Sequence, residues 1–182
     1  MILTDREIKI AIDRELIGID PKPAADAFSS TSVDLTLDSH ARLFRQEVSQ
    51  GIIIDPGAPS FDFHSIADLL TEQININPQF NLPTRKLLLA WTKESVTLPT
   101  QSRVAARVEG KSSLARLGVG IHITAPTIHA GFTGQLQLEI VNHGPTDVVL
   151  RSNMRICQII FEMTFGTPDK GYSGLFTEQE AH

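Results

Sequence analysis

From Leu87 onward the chain is cut into short apolar runs, each closed by Gly, Pro or Asn, and this punctuation restricts it to a mainly β fold. Residues 87–92, 103–108, 119–124, 135–142, 147–150 and 156–165 each read as a strand, and Ser95-Val96-Thr97-Leu98-Pro99 begins a turn. Many short strands bury one face each by forming a sandwich or closing into a barrel, so a distorted β-barrel or jelly-roll-like domain is expected. In the 134–142 run, Leu136, Leu138 and Ile140 fall on one face, with Gln135, Gln137 and Glu139 on the other.

Before this region the pattern changes. Thr4 and Glu7 form a capping box, and Ile8, Ala11 and Ile12 recur at helical spacing, predicting a helix over about residues 4–17 that stops at Gly18. Residues 19–31 read as a loop and 32–38 as a half-buried strand. Residues 46–83 are less regular, broken by Pro56, Pro59 and Pro78, with a short helical turn at 64–70. Helical character returns only in a turn at 111–117, and 173–182 read as a mobile tail of one domain spanning 1–182.

Composition removes several classes of function. Hydrophobic residues make up 41% and charged residues 20%, enough for a packed core. No apolar run approaches the ~20 residues that span a bilayer. The start carries no basic region followed by an apolar stretch. These features predict a soluble, cytoplasmic protein with no membrane partner. A net charge of -5 argues against nucleic-acid partners, because phosphate-backbone binding needs a surplus of Lys and Arg. The lone Cys157 excludes an internal disulfide and a cysteine-rich metal site.

Three segments could carry chemistry. The run from Glu109 to Gly118 sets Lys111, Ser112, Ser113 and Arg116 in one turn after a strand. Hydroxyls, cations and free backbone N–H groups suit anionic oxygens, although a surface turn with capping serines has the same composition. It lacks the spacing of a Walker motif. Glu139 could be an exposed strand carboxylate or, if shielded from water, a proton shuttle. His129, in the loop from Thr124 to Phe132, could equally be structural. His122 and His143 show no spacing that would bind a metal.

The Glu109–Gly118 run, followed by Gly134–Asn142, resembles the dCTP deaminase family, which shares its fold with trimeric dUTP pyrophosphatases. The similarity extends to Leu3-Thr4-Asp5-Arg6-Glu7-Ile8, Ser32-Val33-Asp34-Leu35, Ser95–Pro99 and Met154-Arg155-Ile156-Cys157-Gln158. It implies a homotrimer that hydrolyses dCTP to dUTP and ammonia. By this resemblance Lys111, Ser112 and Ser113 contact the triphosphate, and Ser112 and Arg116 face the reacting end of the base. Glu139 is the catalytic carboxylate, and Gln137 and Leu138 meet sugar and base through their backbone. A backbone carbonyl near Ala125 helps orient the attacking water, and the tail residues Tyr172 and Gln179 close on the substrate. Mg²⁺ rides on the phosphates. No zinc is expected, because the H-x-E and P-C-x-x-C pattern of zinc deaminases is missing.

This chain departs from the family at Ile128-His129-Ala130-Gly131, where an aspartate commonly meets the sugar 3′-hydroxyl and His129 now stands, and at Thr127, where many members carry arginine. The alternatives are a bifunctional enzyme that also splits dUTP to dUMP and pyrophosphate, a pure pyrophosphatase, and a nucleotide-binding trimer with a degenerate site.

Overall fold

The alternating segments become one curled sheet of nine strands, beside a separate two-stranded ribbon, in the computed structural model, which describes residues 1–45, 48 and 51–172. In chain order the strands are β1 (Gly18–Asp20), β2 (Val33–Phe44), β3 (Thr71–Asn75), β4 (Gln79–Leu82), β5 (Leu87–Thr97), β6 (Val104–Gly110), β7 (Val119–Gly120), β8 (Thr127–Ile128), β9 (Thr133–Asn142), β10 (Val148–Arg151) and β11 (Arg155–Met163). Helix α1 (Asp5–Asp13) precedes β1, α2 (Phe63–Leu70) lies between β2 and β3, and α3 (Ser112–Ala115) lies between β6 and β7. The sheet runs β7-β9-β5-β2-β11-β6-β8, with β1 added to β5 and β3 to β2, while β10 and β4 form the ribbon. The expected mainly β, barrel-like class is therefore the one found.

Alternation explains the core. Leu35 and Leu37 of β2, Leu88 and Ala90 of β5, Leu138 and Ile140 of β9, and Ile159 and Phe161 of β11 are all buried on the inner face. Each large apolar side chain contributes about 2 kcal/mol by leaving water. Register shifts at Leu37/Ala41, Trp91/Ser95 and Arg155/Cys157 bend the strands and let the sheet curl. The second shift also corrects the turn expected at 95–99. The bulge carries β5 on to Thr97, which pairs with Gly18 of β1 and Thr133 of β9.

Two further stretches differ from the sequence reading. Only Val119 and Gly120 join the ladder, and the chain then leaves the sheet instead of forming a strand to residue 124. Conversely, β3 and β4 lie in the stretch read as irregular, where Asn and Gln dilute the alternation and Pro78 interrupts it. In α1 the Thr4 hydroxyl bonds the Glu7 carboxylate, whereas no side chain caps the backbone. The helix buries Ile8 and Ala11 and ends at Asp13, where Glu15 (φ 57°) turns the chain towards β1.

The end of β9 is fixed by Asn142, which is fully buried. Its amide donates to the carbonyls of Leu82 (3.1 Å) and Thr146 (2.9 Å), and its Oδ1 accepts the Gly144 N–H (2.9 Å). Gly144 must be glycine, because a Cβ there would come within 2.3 Å of the Leu117 carbonyl oxygen. The His143 N–H donates to the Gly118 carbonyl at 2.7 Å, so the exit of α3 is pinned to the end of β9. Asn142→Leu, which removes these three bonds, two of them buried, is expected to lower stability by about 3 kcal/mol. A urea midpoint measured at fixed protein concentration checks this. An unchanged midpoint would show that water takes over those bonds.

Candidate functional site

The polar face of β9 opens onto a cavity of about 440 Å³. That volume lies within the range of small-molecule pockets. Glu139 and Gln137 project from β9 beside Leu89, while the loop from His122 to His129 forms a second wall. Phe44 at the end of β2 and Phe63 at the start of α2 close one side, and Phe132 and Tyr172 complete the lining. The pairing of Leu89 with Glu139 and of Trp91 with Gln137 sets which side chains share this face. Leu138 is buried in the core and also borders the cavity.

Glu139 is half-buried. One carboxylate oxygen accepts a long hydrogen bond (3.4 Å) from the Ile123 N–H, and among the described residues the other oxygen has no partner. The His122 Nδ1 is buried in the same lining without a partner among the described residues. Ala125 adopts a left-handed backbone (φ 59°) immediately before Pro126. For a residue with a Cβ this costs about 1–2 kcal/mol, so the surrounding contacts must hold the loop in this shape. At the opposite end, the ring of His129 lies on that of Tyr172 with centroids 5.6 Å apart and 19° between planes.

Ala125, His129, Gln137, Leu138, Glu139 and Tyr172 thus meet in one cavity. Lys111, Ser112, Ser113 and Arg116 do not line it. They lie in and around α3, where Ser112, Ser113 and Arg116 are exposed. The Lys111 ammonium pairs with the buried Asp34 at 2.5 Å, and the Arg155 guanidinium stands 3.7 Å from the other Asp34 oxygen. Gln179 and the expected tail at 173–182 lie outside the described residues. The sequence reading missed Phe44, which ends β2 just before the irregular stretch at 46–83, and Phe63, which lies in the middle of that stretch; neither carried a local signal beyond being aromatic. It also missed Asp34 as the partner of Lys111. Among the described residues no group of His, Cys, Asp and Glu is arranged to hold a metal, and no helix is long and apolar enough to cross a membrane.

A family profile described as dCTP deaminase-like matches residues 2–164. A dCTP deaminase of Shewanella sp. (strain W3-18-1) is 38% identical over 176 residues, covering 95% of this chain and 89% of the relative. One from Aeromonas hydrophila is 35% identical over 176 residues with the same coverage. Among solved structures, 2′-deoxycytidine 5′-triphosphate deaminase from Agrobacterium tumefaciens matches with a TM-score of 0.69 and 25% identity. That match covers 89% of this chain and 48% of the other, so this chain spans about half that protein's length. A dUTPase variant from phage phi11 of S. aureus, reported with a structural Mg(II) ion, matches in fold with a TM-score of 0.51, 9% identity and 87% coverage of this chain.

Proposed function

This chain belongs to the dCTP deaminase family and is a hydrolase that converts dCTP to dUTP and ammonia, and on that premise we propose that Glu139 is its general base in a site completed by a neighbouring subunit. The observation that carries the reading is the half-buried Glu139 carboxylate, with one oxygen unpartnered among the described residues, on the wall of a cavity of nucleoside size. Glu139 takes a proton from water as the water oxygen attacks C4 of cytosine, and passes it to N3. It then takes the new hydroxyl proton and delivers it to the amino group, which leaves as ammonia. A carbonyl near Ala125 orients the water, and the backbones of Gln137 and Leu138 hold base and sugar.

The exposed turn at α3 supplies the remaining groups across a subunit boundary in a closed homotrimer. Ser112 and Arg116 of the partner subunit face the reacting end, and Lys111, Ser112 and Ser113 of the partner subunit meet phosphate. An ammonium has three donors, so pairing with Asp34 leaves two for phosphate oxygens. Tyr172, and Gln179 beyond the described residues, close the mouth. The donor chemistry of the site fits a Mg²⁺ held by substrate phosphates and water, where it neutralises the triphosphate, and needs no protein ligand set. The same reading places the enzyme in the cytoplasm with its nucleotide substrate.

An assay on dCTP that follows ammonia and pyrophosphate together tests this. Ammonia and dUTP should form one to one, with activity lost on removing Mg²⁺ and kept in a zinc-selective chelator. Splitting dUTP would require a base beside the α-phosphate. With His129 where the family's carboxylate commonly stands, and about 1 Å of misplacement costing on the order of 10²-fold, pyrophosphate should form at about one-hundredth the rate of ammonia or less. Equal rates would make the enzyme bifunctional, and one zinc per chain would overturn the mechanism.

A further inference from the structure

The near-parallel stack of His129 on Tyr172 joins the loop after β8 to the last described residue of the chain. Around it the backbone is in close contact. The Tyr172 N–H donates to the Ala130 carbonyl at 2.9 Å, and the Phe132 ring lies 6.2 Å from that of Tyr172. A Cβ on Gly131 (φ 94°) would meet the Tyr172 nitrogen at 2.6 Å, and one on Gly171 would meet the Thr100 hydroxyl at 2.7 Å. His129 and Tyr172 line the Glu139 cavity on one side and a second depression beside Lys170 on the other. The strap at residues 171–172 is therefore seated between the two hollows.

Ring and nitrogen are separable roles for His129. A working base has its ring oriented by a third group. Among the described residues, neither ring nitrogen of His129 has a hydrogen-bond partner, whereas its ring has a defined face-to-face neighbour. Centroids 5.6 Å apart fall within the range of favourable aromatic pairs. We propose that His129 is a positioning residue whose ring seats Tyr172 at the cavity mouth, and that its nitrogens neither take a proton nor hold the sugar. This rests on the cavity being the dCTP site. A carboxylate at this position could not make the stack, so the change to histidine exchanges a polar contact for a platform that holds the strap.

The test compares His129→Ala with His129→Phe in the full chain by two measurements. One is the rate of tryptic cleavage after Lys170, followed by mass spectrometry of the released peptide. The other is steady-state kinetics on dCTP. Losing an aromatic pair should raise the open population, and with it the cleavage rate, by roughly three- to tenfold in His129→Ala. KM should rise by a similar factor, with kcat within about twofold of the parent. The His129→Phe variant, which keeps a ring and has no nitrogen, should match the parent within about twofold in both measurements. Loss in His129→Phe as large as in His129→Ala would overturn the proposal, because the nitrogens would then be required. So would an unchanged cleavage rate in His129→Ala. A parent protein that fails to deaminate dCTP would sink the functional reading alone, since the cleavage comparison still decides whether the stack holds the strap.

Discussion

Glu139→Gln is expected to reduce dCTP deamination by ~10²–10⁴-fold while leaving dCTP binding within a fewfold of the parent. The amide keeps the shape of the side chain and an acceptor for the Ile123 N–H, which the carboxylate meets at 3.4 Å. It cannot accept the proton of the attacking water or return one to the amino group. Position is preserved as well, because Glu139 stands opposite Leu89 within the β5–β9 ladder, held by backbone bonds that the substitution does not touch. Single-turnover rates together with calorimetric titration of dCTP separate the two effects. Turnover close to that of the parent would show that another group in the lining, such as His122, accepts the proton.

The second large effect comes from combining two inactive proteins. Arg116 is exposed and outside the lining of the cavity that holds Glu139. If every site takes Glu139 from one subunit and Arg116 from the next, Glu139→Gln and Arg116→Ala should each be nearly inactive alone. Unfolding and refolding them together in equal amounts should restore activity in about a quarter of the sites, the fraction in which both contributing subunits are intact at the required position. Light scattering should give the mass of three chains for both variants and for the mixture. Mixed trimers without recovered activity would mean that one subunit supplies both groups. A monomer mass would remove the shared site altogether.

How much was legible depends on the distance in sequence over which each feature is encoded. The face of β9 that carries Gln137 and Glu139 follows from two-residue alternation, and burial of Leu136, Leu138 and Ile140 matches it. The helical turn at 64–70 appears as α2, because an apolar face and the Asp62 cap are local signals. Features made by tertiary contact were not legible. Lys111 meets Asp34 across 77 positions, and neither residue advertises the other. Phe44 and Phe63 become cavity walls only because β2 and α2 deliver them there. Tyr172 was expected at the substrate, but its stack on His129 depends on where the strap returns to the barrel. Residues 121–124 looked like a strand by composition and instead leave the sheet to form a cavity wall, where loop geometry outweighs β-propensity.

The only thiol of the chain lies near the start of β11, just after the register shift at Arg155/Cys157, fully buried between β2 and β6. Burial, with the carboxylates of Glu94 and Asp34 nearby, pushes the Cys157 thiol well above the usual thiol range. It is therefore kept from forming the thiolate through which oxidants and electrophiles act. Oxidative conditions that stop enzymes bearing exposed cysteines have no such handle on this one. Control through oxidation of a thiol is therefore closed to the folded enzyme.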